Sequence, residues 1–354
     1  MNIISEDCHV FGTTDVAADL RALLSDRQPA QTFLLTDEGS AKNCMGGLGS
    51  ACELIPEGNR LTIAAGDDAK DYTTALKIWE FLSSRGATRK ALLINLGGGM
   101  PCDLGGFCAA TFKRGIEFIN IPTTLLAQVD ASLGGKTGMN LGSLKNEIGV
   151  FAKAGHVLIS PDFLRTLDKA NLLSGFAEMI KHALIHDESE LDALLSFDFC
   201  NVDFDALHDM VGRSIMIKDY FVKADPKEQG IRKALNFGHT FGHAFETFGM
   251  RHGRPVLHGH AVAFGMACEL RLSCQKAGLD HAKADKIIDR IGALYGKPAA
   301  EESDSDELVE LMRHDKKNDS RGINFTLLPK VGEVIVNQIA GPDEIKGILR
   351  TYLS

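Results

Sequence analysis

Short apolar runs recur along the first 160 residues, and each of them stops at polar or glycine residues. They lie at residues 32–37, 60–68, 91–96 and 115–122. Runs of this length bounded by turn residues are typical of buried strands. Residues 41–54 are a helix candidate, and 71–86 has a helical apolar period that begins after the N-cap Asp71 and stops at Gly86. The alternation predicts an α/β domain built on a parallel sheet.

The spacing of apolar residues changes near residue 160. From there on it follows a helical period, and no convincing strand occurs before 323–329. We see no flexible linker, internal repeat or low-complexity tract between the two halves. The pattern therefore predicts an α/β domain over residues 1–160 and a mostly α-helical domain over residues 161–354.

A glycine turn follows the strand predicted at 91–96. The chain runs through Gly97, Gly98 and Gly99 into a helix predicted from about Asp103. Strand, glycine turn and helix in this order offer backbone N–H groups and a positive helix end to a pyrophosphate. Because three glycines are not the GxGxxG fingerprint, a plain turn is the alternative. Together with the alternation before it, the turn favours a Rossmann-like nucleotide-binding domain.

A carboxylate and several imidazoles are concentrated in the second half of the chain. A helical period places Glu178 and Lys181 about one turn apart, and His239 and His243 share a helix face at i and i+4. His258 lies just before another predicted helix. This is a ligand set that zinc prefers, so we predict a metal site here. Histidines that are hydrogen-bonded within the core are the alternative.

Cations and glycines are grouped on a polar segment between the two regions, which we predict to be a loop. Arg114, Asp130, Lys136, Lys145 and Asn146 lie here in an otherwise acidic chain. Such a group is typical of a pocket for phosphate or carboxylate. A solvated charged surface is the alternative, although the neighbouring glycines favour tight backbone geometry.

Composition narrows the class of protein. The 354 residues are 44% hydrophobic and carry a formal net charge of −9, which predicts a globular protein that binds neither nucleic acid nor an anionic membrane. No apolar run approaches the roughly 20 residues of a membrane span, and the first residues lack the form of a secretion signal, so we expect a cytoplasmic protein. The eight cysteines form no CxxC pair, so neither disulfides nor a cysteine zinc site is predicted.

Several runs carry a resemblance to a known family. They are GGGMPCDLGGFCAATFKRG, PTTLLAQVDASLGGKTGMN, LKNEIGVF, SGFAEMIKH, LNFGHTFGHAFE, LHGHAVAFGM and HDKKND. In this order and spacing, from about residue 60 to 330, the chain resembles the 3-dehydroquinate synthases of the sugar-phosphate cyclase superfamily. The resemblance implies an NAD-binding α/β domain followed by a helical metal- and substrate-binding domain.

The resemblance also implies a reaction. A phosphorylated seven-carbon sugar acid, 3-deoxy-D-arabino-heptulosonate 7-phosphate, would be converted into 3-dehydroquinate and phosphate in the shikimate pathway. The steps would be transient oxidation by NAD, β-elimination of phosphate, re-reduction and an intramolecular aldol closure. One divalent metal per subunit, zinc or cobalt, would act as a Lewis acid, and NAD would be regenerated in each turnover.

Site residues follow from the resemblance, position by position. The implied metal ligands are Glu178, His239 and His258, which leaves His243 for substrate binding and proton transfer. The other implied catalytic residues are Lys181, Asn236, Arg232 and Lys136. The implied substrate contacts are Asp130, Lys145, Asn146, Lys218, Arg114 and one of Lys316 or Lys317, with Lys316 favoured. The implied cofactor contacts are Asp67, Lys70, Gly98, Gly99, Asp103, Thr123, Thr124, Lys136, Lys145 and Thr166.

Arg114 and two departures from the family pattern add to this prediction. Arg114 matches a residue that reaches the phosphate of a neighbouring subunit, which implies a homodimer. Asp67 stands where the family usually has Glu, so the contact with the ribose is expected to survive with altered geometry. His260 stands where most relatives have Glu, and we expect its side chain to point away from the metal.

Three other functions are consistent with parts of the sequence. Another sugar-phosphate cyclase would share the fold, the metal ligands and NAD, but Arg232, Asn236 and His243 together favour a carboxylated substrate. A metal- and NAD-dependent polyol dehydrogenase would not need the cations that suit phosphate and carboxylate. A metal-binding structural or regulatory protein would show metal binding without turnover or NAD.

Overall fold

A computed structural model describes residues 2–5, 8–142, 144–313 and 322–354 of the chain. The predicted substrate lysines Lys316 and Lys317 lie outside these described residues. The chain divides into two compact units. The first unit comprises Met1–Asp168 with Asp203–Met216, and the second comprises Lys169–Val202 with Ile217–Ser354.

The described part of the first unit alternates strands and helices. Its strands are β1 Asn2–Ser5, β2 Cys8–Gly12, β3 Thr32–Asp37, β4 Arg60–Ile63, β5 Leu92–Gly97, β6 Glu117–Pro122, β7 Lys136–Leu141, β8 Leu144–Phe151 and β9 His156–Ile159. Its helices are α1 Val16–Leu24, α2 Glu38–Asn43, α3 Tyr72–Ser84 and α4 Gly99–Thr111, with a π-helical turn at Ala127–Ala131.

One sheet organises the first unit. Its strand order is β1-β2-β9-β6-β5-β3-β4, and every pair except β1 with β2 is parallel. The register aligns Gly97 with Pro122 and Asp37 with Ile63. The carboxyl ends of these four strands therefore lie along one edge of the sheet, which is where open α/β sheets bind ligands.

Apolar side chains from the central strands form the core beneath α1. Leu34, Ile94, Ile119 and Leu158 are at most 1% exposed and cluster with Leu20 of α1. Strands that are buried on both faces have continuous apolar runs rather than alternation. For this reason the four predicted strands are confirmed within a few residues.

Three local predictions for the first unit were wrong. A helix was predicted at 41–54, but α2 ends at Asn43 and residues 45–54 form 3₁₀ turns, which are interrupted at Gly49 with its φ of 46°. Helix α4 starts at Gly99 and not near Asp103, with Pro101 in its first turn, where proline is favoured. The polar segment that was expected to be a loop contains an antiparallel hairpin of β7 and β8.

The second unit is mostly helical. Its helices are α5 Lys169–His186, α6 Glu188–Leu195, α7 Phe204–Ala224, α8 His239–Arg251, α9 His258–Lys276, α10 His281–Tyr295, α11 Ser305–Arg313 and α12 Pro342–Leu353. The unit boundary falls inside α7, after Met216. Two antiparallel strands complete the described part, β10 Ile323–Lys330 and β11 Glu333–Ala340. Of these, β11 was not predicted.

Helix α9 is the centre of the second unit. It packs against α5, α8, α10 and β10, and nearly all of its residues from Ala261 to Cys274 are buried. A helix that is apolar on all faces is buried on all sides. The predicted combination of a parallel α/β sheet and a mostly helical second part is confirmed. Among the described residues, no helix combines the length and the apolar character needed to cross a membrane.

Candidate active site

Three helices of the second unit bring one carboxylate and two imidazoles together. Glu178 lies within α5, and His239 and His258 are the first residues of α8 and α9. Glu178 Oε1 lies 3.6 Å from His239 Nε2 and 3.5 Å from His258 Nε2. One ligand atom from each residue lies within 4.8 Å of the other two. A single cation can therefore contact all three side chains.

Two glycines of α9 allow this close approach. A Cβ atom at Gly259 would lie 1.8 Å from Ser174 O of α5, and one at Gly265 would lie 1.9 Å from Gly238 O at the start of α8. Both distances are far shorter than a van der Waals contact, so only glycine fits. Gly259 N also donates a hydrogen bond of 3.1 Å to Ser174 Oγ. The separation of the three ligand-bearing helices is thus set by backbone contacts.

A buried carboxylate fixes the start of α8. Gly238 has a φ of 81°, and its N–H donates to Glu269 Oε2 at 2.7 Å, while Thr240 N donates to Glu269 Oε1 at 3.3 Å. Glu269 is fully buried on α9 and satisfies N–H groups that a helix N-terminus leaves without intrahelical partners. His239, which lies between these two donors, is held at the end of a capped helix.

The donor set fits a divalent metal of the zinc type. Glu178 Oε1 is buried and accepts no hydrogen bond within the described part of the chain. His239 Nδ1 lies 3.2 Å from Phe237 O, so a proton on Nδ1 leaves the Nε2 lone pair toward Glu178. One carboxylate and two imidazoles are also a known catalytic zinc ligand set, which leaves a position open.

The pKa values of the three proposed ligands are shifted in different directions. Burial alone would raise the pKa of Glu178, but the Lys181 ammonium and the two histidines hold it well below its usual range. Lys181 is 1% exposed and forms a short ion pair with Glu178 Oε2. Burial holds the pKa of His239 well below its usual range. Burial also lowers the pKa of His258, but contacts with Glu178 and Glu246 outweigh it and raise this pKa to about 10.

Further cations are buried in the second unit. Lys181, Lys218 and Arg232 are 1%, 6% and 1% exposed, respectively. Buried cations in an acidic chain are costly unless anions compensate them. Asn236 donates to Glu228 Oε1 at 2.7 Å. Lys181 and Asn236 therefore already hold carboxylate partners within this unit.

Asp225 shapes the segment that carries Arg232. Its carboxylate accepts hydrogen bonds from the backbone N–H groups of Gln229, Gly230 and Arg232 at 3.0, 2.6 and 3.2 Å. The Arg232 guanidinium donates to Pro226 O at 2.7 Å. One acidic side chain thus holds the backbone of residues 225–232 in a closed turn.

Two other histidines lie near the ligand group but outside it. The ring of His243 is centred 5.4 Å from that of His239 and 6.1 Å from that of His258. His260 lies edge-on to Tyr295, with ring centres 5.3 Å apart. Neither belongs to a group of candidate metal ligands among the described residues.

The glycine turn of the first unit lies at the carboxyl edge of the sheet. Strand β5 ends at Gly97, Gly98 is the N-cap of α4, and Thr123 N after β6 donates to Gly97 O at 2.9 Å. A Cβ atom at Gly98 would lie 3.1 Å from Thr124 Cγ2. Gly98 is therefore closely packed against Thr124 at the start of α4, and a helix N-terminus of this kind offers backbone N–H groups to an anion.

A second polar group lies beside this turn in the first unit. The buried Lys70 ammonium forms an ion pair with Asp103 Oδ2 at 2.6 Å and donates a short hydrogen bond to Asn146 Oδ1. Asp67 pairs with Lys145 at 3.0 Å. Five of the residues predicted to bind cofactor or substrate thus form two sets of direct contacts.

The remaining predicted residues are more scattered within the first unit. Lys136 begins β7 and pairs in register with Phe151, at the other end of the hairpin from Lys145. Arg114 is exposed with a φ of 68°, Asp130 lies in the π-helical turn, and Thr166 is exposed. The structure does not bring these side chains into the Lys70 group.

Comparison with known proteins places this geometry in a family. Residues 60–174 match the family described as 3-dehydroquinate synthase N-terminal, and residues 175–318 match 3-dehydroquinate synthase C-terminal. A 3-dehydroquinate synthase of Parabacteroides distasonis is 46% identical over 341 residues, which are 96% of each chain. The chain belongs to the 3-dehydroquinate synthase family.

Solved structures outside the 3-dehydroquinate synthases have the same fold. A 2-deoxy-scyllo-inosose synthase, complexed with carbaglucose-6-phosphate, NAD+ and Co2+, has a TM-score of 0.88 at 23% identity and covers 100% of this chain and 99% of its own. A 2-epi-5-epi-valiolone synthase from Streptomyces hygroscopicus, with NAD+ and Zn2+ bound, has a TM-score of 0.83 at 23% identity and covers 99% and 98%.

Sequence reasoning missed three carboxylates that shape this candidate 3-dehydroquinate synthase site. They are Asp225, Glu246 and Glu269. Only Glu246 had a readable signal, because it lies three residues after His243 and seven after His239 on one helical face. The contacts of Glu269 and Asp225 depend on chain folding beyond one helix, so spacing could not reveal them.

Proposed function

We propose that this chain is a carbon–oxygen lyase that converts 3-deoxy-D-arabino-heptulosonate 7-phosphate into 3-dehydroquinate and phosphate. The observation that carries the proposal is the convergence of Glu178, His239 and His258 within 4.8 Å, in a chain of the 3-dehydroquinate synthase family. The proposal keeps the division at residues 160 and 161 into an NAD-binding and a metal-binding domain.

A divalent metal, zinc or cobalt, is assigned to Glu178, His239 and His258. When bound, it would polarise a substrate oxygen as a Lewis acid. The chain's part is to hold three ligands and keep one side of the ion open. The two Nε2 atoms face Glu178 Oε1 at 3.5 and 3.6 Å, so little rearrangement is needed to bind.

NAD is assigned to the first unit. When bound, it would supply the reversible oxidation of one substrate hydroxyl. Gly98 and Gly99 offer backbone N–H groups at the start of α4, and Thr123 and Thr124 form the facing wall. Asp67 and Lys70 are assigned to the ribose end. Asp67 is a shorter carboxylate than Glu but still offers two acceptor oxygens.

The substrate is assigned to cationic side chains. Arg232 and Lys218 are buried, which strengthens their attraction for carboxylate and phosphate. Guanidinium groups bind such planar or tetrahedral anions through paired hydrogen bonds. Lys136, Lys145, Asn146 and Asp130 are assigned to the phosphate and hydroxyl groups.

Proton transfer is assigned to His243. Its ring lies 5.4 Å from that of His239, so it can reach a substrate bound at the metal without being a ligand. Imidazoles are the side chains that most often move a proton at neutral pH. Lys181, which pairs with Glu178, is assigned to orient a substrate oxygen and to stabilise negative charge on it.

We also propose a cytoplasmic homodimer. The hairpin of β7 and β8 exposes Leu141, Leu144, Val150 and Phe151 by 49%, 55%, 38% and 59%. Exposed apolar side chains at both ends of the hairpin favour association with another chain. Arg114 is exposed and can extend toward a second subunit.

Substrate choice tests the proposal. The metal-loaded protein with NAD is offered the heptulosonate phosphate, glucose 6-phosphate or glycerol, and phosphate release and product mass are measured. Release of phosphate with a carboxylated carbocycle from the first substrate alone is expected. Turnover of glucose 6-phosphate instead would indicate another sugar-phosphate cyclase, and oxidation of glycerol would indicate a dehydrogenase.

A further inference from the structure

A buried carboxylate lies behind one of the proposed metal ligands. Glu246 of α8 is 6% exposed, and its Oε2 lies 3.5 Å from His258 Nδ1. It lies on the same face of α8 as His239 and His243, seven and three residues earlier. Glu246 therefore faces the site without being one of the three ligands.

The ring of His258 lies between two carboxylates. Its Nε2 faces Glu178 Oε1 at 3.5 Å, and its Nδ1 faces Glu246 Oε2 at the same distance. A neutral imidazole carries its proton on only one of the two nitrogens. Which nitrogen is free to bind a metal is therefore decided by the partner of the other one.

We propose that Glu246 is a positioning residue of the metal centre: it accepts the Nδ1–H of His258 and so directs the Nε2 lone pair toward Glu178 and His239. The inference rests on the metal site of the proposed function and extends it by one residue. His239 has a different partner for the same purpose, because its Nδ1 faces the backbone carbonyl of Phe237. A substitution can remove the Glu246 side chain next to His258, but it cannot remove the backbone carbonyl next to His239.

Charge balance gives Glu246 a second effect. The Lys181 ammonium is 1% exposed and already pairs with Glu178. A bound dication would add positive charge next to that buried pair. Among these side chains, Glu246 supplies the second negative charge, which offsets the dication through His258. Loss of the Glu246 charge should therefore weaken metal binding.

Metal affinity of the substrate-free protein tests the proposal. Zn2+ and Co2+ dissociation constants are measured by competition with a chelator for the unaltered chain, Glu246→Gln and Glu246→Asp. Glu246→Gln is expected to weaken binding about 10- to 100-fold, and Glu246→Asp, which keeps the charge, to weaken it less. Glu307→Gln is the matched control, because it removes the charge of a carboxylate that lies 3.1 Å from His252 Nε2 outside the site.

Two outcomes would overturn the inference. One is a metal affinity of Glu246→Gln within about twofold of the unaltered chain. The other comes from ¹⁵N histidine NMR of the unaltered, metal-loaded chain, with the His258 signal assigned by its loss in His258→Gln. A proton on Nε2 rather than Nδ1 would contradict the proposed geometry, even if Glu246→Gln failed to fold.

The same measurements separate this inference from the proposed function. If the unaltered chain binds metal and Glu178→Gln abolishes binding, the three-ligand site stands whatever Glu246→Gln does. If Glu178→Gln binds metal as tightly as the unaltered chain, the metal site itself is wrong, and the inference about Glu246 is wrong with it.

Discussion

The two candidate binding regions of this chain are built in different ways. In the second unit the donors are side chains of Glu178, His239 and His258, held by tightly packed helices. In the first unit the donors at Gly98 and Gly99 are backbone N–H groups on a turn after a strand. One region depends on residue identity at single positions, and the other depends on backbone shape.

This difference predicts how each region responds to change. A ligand side chain in the second unit has no substitute, so its loss should remove the metal entirely. Contacts in the first unit are shared between backbone groups and the side chains of two ion pairs, so the loss of one side chain should weaken binding only in part. Substitutions in each region test this contrast.

Replacing a ligand should have the largest effect. His258→Ala is expected to lose bound metal and to lower kcat/KM by a factor on the order of 10³, because several kcal/mol of Lewis-acid stabilisation are lost. Metal content by elemental analysis and phosphate release measure both. His281→Ala is the control, since His281 is also the first residue of a helix but is exposed. Stoichiometric metal with full activity in His258→Ala would contradict the ligand assignment.

Lys136→Ala should have a smaller effect in the first unit. Removing one charge-assisted hydrogen bond is expected to raise KM about 10- to 100-fold while the metal content stays unchanged. Steady-state kinetics and elemental analysis of the same preparation check this split. Lys153→Ala, just after the same hairpin, should leave KM unchanged. Loss of metal in Lys136→Ala would show that the two regions are not independent.

Asp103→Asn tests the ion pair beside the glycine turn. Lys70 is 5% exposed, so it would keep a buried charge facing a neutral amide. We expect the free energy of unfolding to fall by about 2 kcal/mol, less than for a fully buried pair because Asp103 is 19% exposed. Chemical denaturation and NAD titration measure the effect. Asp68→Asn, on the exposed side of the same segment, should change neither quantity.

Asp225→Asn should have the smallest effect, confined to acid pH. Partial burial raises the pKa of Asp225, but the N–H groups of Gly230, Gln229 and Arg232 outweigh it and lower this pKa below its ordinary value of 3.8. Because the unfolded chain binds the proton more readily, this contribution is present above pH 3.8 and is lost as the pH falls through the lower folded value.

The measurement is denaturant unfolding of both chains from neutral pH down to pH 3. We expect the stability of Asp225→Asn to fall less steeply below pH 4 than that of the unaltered chain. Parallel curves would mean that the carboxylate is not held by the backbone donors seen at Gly230 and Arg232.

Much of the first unit's fold could be predicted because its sheet is buried on both faces. The runs of β5 and β6 are mostly apolar, and the Asp71 side chain caps the start of α3. The hairpin of β7 and β8 was missed for the opposite reason. Most of β8 is exposed, so no apolar period marks it as a strand.

The candidate site was only partly readable in advance. Spacing placed His239 and His243 on one helix face but could not decide which of them lies next to Glu178. That depends on the approach of α9, which contacts at Gly259 and Gly265 determine. The carboxylate of Glu269 is likewise brought to α8 from another helix. The spacing of residues within one helix predicts neither the approach of α9 nor the position of Glu269, because both depend on contacts between distant parts of the chain.

The number of turnovers per NAD decides whether the proposed reaction regenerates its cofactor. The metal-loaded protein is given excess heptulosonate phosphate, and NAD is added at a small fraction of the substrate concentration. Phosphate release and the absorbance of reduced nicotinamide are followed together. We predict many phosphates released per NAD, with no net reduced nicotinamide. Phosphate release that stops once the added NAD is used, or reduced nicotinamide that accumulates with product, would contradict an internal redox cycle.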